Sequence, residues 1–169
     1  MIPSFKSITA FLVIFCFHMN LVGESGPHKF IDSQAQEMVS IIINNQKLFA
    51  EDPELFKDKI SMIFEPMVDF RRVGASVMGK KYYLASSKSQ RLEFIQAFKN
   101  SLLDTYTSTL AQWGDQRIVT VFPEVYEYKK TEDVQQNLIT ASNIYPITYK
   151  VRKNKSGDWL IINIIVNGV

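Results

Sequence analysis

The sequence predicts an α+β domain in which N-terminal helices pack on one face of a C-terminal antiparallel sheet of about four strands. Apolar residues recur at helical spacing over the first two thirds of the chain. After Trp113-Gly114-Asp115 they alternate with polar residues, and turn-forming residues separate the alternating segments. A block of helices followed by a block of strands is typical of an α+β domain.

Residues 1–25 have the pattern of a secretory signal peptide. Lys6 precedes an apolar run at residues 8–17, and small and polar residues lead up to an expected cleavage point after Ser25. The run is too short to span a hydrocarbon core of about 30 Å as a helix. We therefore expect a periplasmic protein with one mature domain, residues 26–169. An uncleaved membrane anchor is the alternative.

The composition is that of one ordinary globular domain. The chain has 169 residues, of which 46% are hydrophobic and 21% are charged, and its formal net charge is +2. Such a small charge predicts no nucleic-acid partner. The only cysteine, Cys16, lies in the predicted signal peptide, so the mature domain must be stable without disulfides.

Two helices are predicted in the first third of the mature chain. Asp32 is a candidate N-cap for the first, which carries apolar residues at helical spacing from Met38 to Ile43. Asp52-Pro53-Glu54 provides a cap, a first-turn proline and a first-turn acid for the second helix, and Pro66 follows its expected end.

Two further helices precede the change of period. Residues 67–79 predict a short third helix that ends at Gly79. Residues 87–90, Ser-Lys-Ser-Gln, have the form of a capping box and begin a long fourth helix. One apolar stripe runs along this fourth helix: Phe94, Phe98, Leu102, Tyr106 and Leu110. The stripe could close a solid core or wall a cavity, and the residues alone favour a solid core.

Four strands follow. We expect them at residues 118–121, 134–141, 147–151 and 158–166, with a turn at 154–157 before the last. Because strands joined by tight turns pair antiparallel, the sheet is predicted to be antiparallel.

The mature chain offers little catalytic chemistry. Its one histidine, His28, lies close to the expected new N-terminus, where we expect no ordered structure. No glycine-rich phosphate loop, nucleophile elbow or metal-ligand pattern occurs. Asp69 could be a buried general base, but capping the third helix or pairing with Arg72 explains it better. We therefore predict no catalytic residue, no metal and no cofactor.

Several short motifs carry a family resemblance. They are Asp69-Phe70, Met78-Gly79, Tyr82-Tyr83, Ala85, Gln90-Arg91, Phe94, Phe98, Leu102 and Thr105-Tyr106, then Tyr149-Lys150-Val151, Gly157-Asp158-Trp159 and Val166-Asn167-Gly168-Val169. In this order they resemble the MlaC family of periplasmic phospholipid-binding proteins, also called toluene-tolerance or ABC-transporter auxiliary proteins. The likeness covers most of residues 30–169. The family usually continues past this last strand with a serine-leucine segment and a basic, aromatic tail, whereas the sequence ends at Val169.

The resemblance implies an NTF2-like fold with an apolar pocket between helices and sheet, and it favours a cavity over a solid core. It implies a monomeric, non-catalytic shuttle for phospholipid. Its partners would be an outer-membrane lipoprotein–porin complex and an inner-membrane ABC lipid transporter, and its role would be to maintain outer-membrane lipid asymmetry. The alternatives are a hopanoid-associated transport protein of the same family, or an NTF2-like enzyme that uses Asp69 with Tyr106.

Twelve residues are the predicted lining of the lipid pocket: Phe70, Val73, Met78, Phe94, Phe98, Leu102, Tyr106, Val119, Leu138, Ile147, Tyr149 and Trp159. Four basic residues are candidates for contact with a lipid head group or a partner: Arg71, Arg72, Lys80 and Lys81. A solvated basic face is the alternative for these four. Lys80 and Lys81, followed by two tyrosines, also suit docking on an acidic partner surface or a membrane interface.

Overall fold

The computed structural model of the chain describes residues 26–124 and 127–167, so the predicted signal peptide lies outside the described residues. Helices precede strands, and the predicted α+β class is confirmed. The helices are α1 (Pro27–Asn44), α2 (Gln46–Glu51), α3 (Pro53–Met67), α4 (Phe70–Ala85) and α5 (Lys88–Leu110). The strands are β1 (Arg117–Thr120), β2 (Thr131–Ile139), β3 (Ile144–Lys153) and β4 (Trp159–Val166). No helix within the described ranges is long and apolar enough to cross a membrane.

The predicted start of the first helix at Asp32 is wrong. Helix α1 begins five residues earlier, at Pro27, whose fixed φ suits a first helical position, and Gly26 is its N-cap. Asp32 therefore lies inside the helix, where its Oδ1 accepts a hydrogen bond of 2.7 Å from the Thr120 hydroxyl. This carboxylate joins α1 to the sheet instead of capping the helix.

The predicted caps of the other helices are confirmed, but the third predicted helix starts at Phe70 and not at residue 67. Met67 ends α3, and Val68 is extended and pairs with Ile161 of the last strand. Asp52 and Asp69 each accept a hydrogen bond of 3.0 Å from the backbone N–H three residues further on. Ser87 and Gln90 form the predicted capping box, with both reciprocal hydrogen bonds present. Each such cap stabilises its helix by about 1 kcal/mol.

Gly79 bends the third predicted helix but does not end it. Helix α4 continues to Ala85 through a kink at Gly79, whose φ of 72° and ψ of 155° lie in a region that is essentially restricted to glycine. Pro66 likewise lies in the last turn of α3, which ends at Met67, and not after it. The short helix α2 was not predicted.

The four strands form one antiparallel meander in the order β1-β2-β3-β4, as the sequence predicts. Alternate residues of β2 face the helices, and Val134 and Gln136 among them are fully buried. The segment between α3 and α4 joins the last strand, because the backbone N–H of Asp69 donates to the carbonyl of Ile161 at 3.0 Å. This contact places the start of α4 beside β4.

Two clusters of buried apolar side chains hold the fold together. The first joins α1 and α3 to the strands: Ile31, Ile63, Met67, Val68, Val134, Val151, Trp159 and Ile161. The second joins α1 to α3: Ile42, Phe56 and Ile60. Full burial of one such side chain stabilises the fold by about 1.5–3 kcal/mol.

Helices α4 and α5 form a hairpin whose end is much less buried than its base. Near the base, Gly74 lies so close to α5 that a Cβ added to it would be 2.8 Å from the Ile95 side chain. At the other end, Arg91 donates to the carbonyl of Ser86 at 2.8 Å and lies over the Tyr83 ring at 4.2 Å. We call residues 75–92 the hairpin tip, and none of them is fully buried.

Candidate functional site

A cavity of about 360 Å³ lies between the helices and the sheet. Helix α1 contributes Ile31, Gln34, Ala35, Met38, Val39 and Ile42, helix α3 contributes Ile60, Phe64 and Met67, and α5 with its C-terminal extension contributes Leu103, Tyr106, Thr109, Leu110 and Trp113. The strands contribute Ile118, Gln136, Leu138, Ile147, Tyr149, Ile161, Ile164 and Val166. The volume is within the range of about 300–1,000 Å³ that is usual for small-molecule sites.

Both core clusters contribute to the wall of the cavity. Ile31 and Ile161 of the first cluster and Ile42 and Ile60 of the second all contribute to its wall. Helix α1 spans both clusters because its apolar positions recur every three or four residues along one face. The first cluster holds α1 and α3 on the sheet, and the second holds these two helices together.

Exposed lining residues mark the mouth of the cavity. Tyr106 and Val166 are each 42% exposed, and Thr109 is exposed as well. These residues come from α5 and from the end of β4, so the cavity opens between the last turns of the long helix and the last strand.

No lining residue of the cavity carries a charge. Tyr149 is the most strongly affected titratable group on the wall, since burial, with a smaller contribution from Tyr106, raises its pKa to about 12. Its hydroxyl is therefore protonated at neutral pH. Because an unpaired charge is very costly to bury, the wall accepts apolar groups and excludes ionised ones.

A buried chain of hydrogen bonds orients the one amide that lies deep in the wall. The Thr120 hydroxyl donates to the carboxylate of Asp32 at 2.7 Å, so it can accept from Gln136 Nε2, which donates to it at 2.8 Å. Gln136 Oε1 is then a buried acceptor, and neither it nor the buried donor Trp113 Nε1 has a partner within the described residues. An unsatisfied buried group of this kind costs about 1–3 kcal/mol.

The structure places four of the twelve predicted pocket residues on this wall: Tyr106, Leu138, Ile147 and Tyr149. Five others lie elsewhere: Trp159 is buried in the first core cluster, Phe70 and Val73 pack against that cluster, Leu102 is partly buried on α5 off the wall, and Val119 is exposed on β1. The remaining three lie in the hairpin, where Met78 and Phe94 line a shallow groove between α4 and α5 and Phe98 stacks on Phe94 at 6.2 Å.

Helix α1 is the main contributor that sequence reasoning missed. Its apolar face was predicted, but it was not paired with the long helix across a pocket. Ala35 is the signal in the sequence, since a small residue among larger apolar neighbours leaves space on a buried face. The stripe on α5 divides between two environments, because only its last two members, Tyr106 and Leu110, reach the cavity.

All four predicted basic contact residues, Arg71, Arg72, Lys80 and Lys81, are exposed on α4 and lie off the cavity wall. Asp69 caps α4 and is not a lining residue either. Where the structure describes the chain, no group of three or more His, Cys, Asp or Glu residues could hold a metal ion.

The expectation that His28 lacks ordered structure is wrong. His28 lies buried in the first turn of α1, with its ring 6.0 Å from the ring of Tyr128 and 6.3 Å from that of Phe122. Burial lowers its pKa, and the negative charge of Glu132 opposes this effect in part. His28 is thus a packing residue at the start of the fold.

Comparison with known proteins gives consistent relatives. A toluene tolerance protein, Ttg2D, from Pseudomonas putida is 28% identical over 160 residues, which are 94% of this chain and 73% of that protein. An intermembrane phospholipid transport system binding protein, MlaC, from Haemophilus influenzae is 26% identical over 168 residues, which are 98% of this chain and 78% of that protein.

A solved structure shares the fold. It is that of a phospholipid-binding protein from Ralstonia solanacearum in complex with a phospholipid, with a TM-score of 0.77 and 17% identity, over 86% of this chain and 80% of that one. The family model described as MlaC protein matches residues 32–169, which is most of the chain. The chain therefore belongs to the MlaC family.

Proposed function

We propose that this protein is a phospholipid carrier that holds lipid acyl chain in the cavity between α1, α5 and the sheet. The observation that carries the proposal is the uncharged, largely apolar wall, to which both core clusters contribute. Transfer of each acyl methylene from water to such a wall contributes about 0.8 kcal/mol. The acyl chain contacts the apolar face of α1 and four residues of α5 and the strands: Tyr106, Leu138, Ile147 and Tyr149.

The charged head group stays outside the cavity. A lining without cations offers a phosphate no partner, and burial of an unpaired phosphate is strongly unfavourable. The head group therefore lies at the mouth, near Tyr106, Thr109 and Val166, in contact with water. Such a carrier does not select its lipid by the head group.

We further propose that the carrier works in the periplasm, after removal of residues 1–25, and moves phospholipid between the two membranes. The name of the Haemophilus influenzae relative, which refers to intermembrane phospholipid transport, supports this role. The partners would be an outer-membrane lipoprotein–porin complex and an inner-membrane ABC transporter, and the outcome would be outer-membrane lipid asymmetry. A catalytic role has little support, since Asp69 is used as a helix cap.

The test is native mass spectrometry of the full-length gene product, expressed in a Gram-negative bacterium and purified from the periplasm. Lipids are extracted from the same sample and identified. We expect a stoichiometric adduct with the mass of a glycerophospholipid. The protein itself should have the mass of a chain that begins at Gly26. A cooperatively folded protein with no lipid adduct would contradict the carrier role. A hopanoid in the extract would instead favour a hopanoid-associated transport protein of the same family.

A further inference from the structure

The hairpin tip, residues 75–92, exposes apolar side chains that no part of the described chain covers. Val77, Tyr82, Leu84 and Leu92 are each more than half exposed. Between Gly74 and Leu103 no residue is fully buried. Isolated exposed apolar residues are ordinary, but four within one short helical turnaround form an unusual surface.

The charge of the tip is entirely positive. Lys80, Lys81, Lys88 and Arg91 lie in it, and it has no acidic residue. The chain has 19 basic and 17 acidic residues, so the remainder holds 15 basic residues against 17 acidic ones and is slightly negative. Because the tip is positive and the rest of the chain is slightly negative, the protein should approach an anionic surface with the tip first.

The tip is ordered before it meets any partner. The capping box at Ser87 and Gln90 begins α5, and Arg91 joins the two helices through the Ser86 carbonyl. Little conformational entropy is therefore lost when the tip binds, which favours binding.

We propose that the hairpin tip docks on the surface of a bilayer that contains anionic phospholipid. Lysine side chains can reach lipid phosphates while their methylene stems lie along apolar surface, and tyrosine is favoured at membrane interfaces. Leu84 and Leu92 then enter the head-group region beside Lys81 and Lys88. Docking of the tip does not require lipid in the cavity, whose mouth lies elsewhere, at Tyr106, Thr109 and Val166.

A bilayer fits these features better than an acidic protein or a second copy of the chain. The exposed apolar residues are spread over two helices on both sides of the Gly79 kink and alternate with cations. A protein partner would favour a compact apolar anchor that fills a pocket. A second copy would bring two positive tips together, which is unfavourable.

Vesicle co-sedimentation tests the proposal, with the periplasmic protein and vesicles of phosphatidylethanolamine plus phosphatidylglycerol or of phosphatidylcholine alone. We expect binding to the anionic vesicles that weakens as salt rises. The double variant Lys80→Gln with Lys81→Gln should bind roughly 25-fold more weakly, at about fivefold per lysine. The matched control, Lys129→Gln with Lys130→Gln, removes the same charge from exposed residues outside the tip and should bind as the wild type does.

A second pair of variants tests the apolar part of the contact. Leu84→Gln should weaken vesicle binding about tenfold, because it removes an apolar side chain that is 66% exposed, whereas Met62→Gln, at a 77% exposed position on α3, should have no effect. Absence of vesicle binding, or equal losses in tip and control variants, would overturn the proposal. A tip-dependent dimer in light scattering without vesicle binding would overturn it as well. Bound lipid is measured in the same samples, so that a failure of docking is distinguished from a failure of the carrier role.

Discussion

The two halves of helix α5 share one apolar stripe and have opposite surroundings. In the C-terminal half, Leu103 and Thr107 are fully buried, and Tyr106 and Leu110 wall the cavity. In the N-terminal half no residue is fully buried. There Phe94 lines the shallow groove between α4 and α5 and stacks on Phe98. A regular spacing thus identifies the face of a helix but not what covers that face.

The difference has a structural cause. The C-terminal half of α5 borders the cavity together with residues of α3 and the sheet, whereas the N-terminal half lies close to α4 at Gly74 and Ile95. We infer that the domain outside the hairpin tip determines the global stability and holds the acyl-chain site. The hairpin tip is a local unit, so changes in it leave the global stability and the acyl-chain site intact.

Truncation of a phenylalanine in each region gives the largest expected contrast. Phe56→Ala should lower the free energy of unfolding by about 3–5 kcal/mol, since Phe56 is fully buried in the second core cluster. Phe94→Ala should cost less than half as much, because Phe94 is only partly buried. Urea denaturation followed by circular dichroism measures both. Equal losses would mean that the hairpin and the body form one cooperative core.

Two alanine-to-phenylalanine substitutions distinguish the cavity from the groove between α4 and α5 as the site of lipid binding. Ala35→Phe places a ring in the cavity and should weaken acyl-chain binding about tenfold. This is the effect expected when roughly two methylenes of the acyl chain are no longer buried. Ala97→Phe makes the same change in the hairpin groove and should leave lipid binding intact. Displacement of a fluorescent fatty acid, with thermal melts to verify folding, measures the effect. The reverse pattern would assign the lipid to the hairpin.

The smallest expected effect is the pH dependence contributed by His28. Because burial lowers its pKa in the folded protein, the unfolded chain takes up the proton first as the pH falls through the ordinary histidine value of 6.5. The free energy of unfolding should therefore decrease as the pH is lowered from 7 toward the folded-state pKa. His28→Gln should flatten this part of the profile. A stability that rises over the same interval would contradict the burial of a neutral imidazole.

Local patterns predicted much of the fold. Alternation and turn residues predicted four antiparallel strands, and short side chains before helical segments predicted the caps at Asp52, Asp69 and Ser87. One error occurred where a tertiary contact overrides a local signal, since Asp32 resembles an N-cap but bonds to Thr120 across the domain. Gly79 resembles a helix end, but the backbone bends there with a φ of 72° and α4 continues to Ala85.

The cavity could be predicted only in part for the same reason. The periodicity of the sequence places Tyr106, Leu138, Ile147 and Tyr149 on inward faces, but an inward face can border a cavity or a packed core. Trp159 obeys the same rule and is buried in a packed cluster. Which inward residues contact one another and which border empty space depends on how α1 crosses the sheet, and the sequence pattern of a single element does not contain that information.

The most direct test of the account is to map where a bound acyl chain lies. The protein is loaded with a phospholipid that carries a photoreactive diazirine on one acyl chain, irradiated, digested and analysed by mass spectrometry. We predict crosslinks to the cavity wall, on the α1 peptide that contains Ala35 and Met38 and the β3 peptide that contains Ile147 and Tyr149. Crosslinks concentrated on Met78, Tyr82 and Phe94 would place the lipid in the hairpin groove and contradict the account.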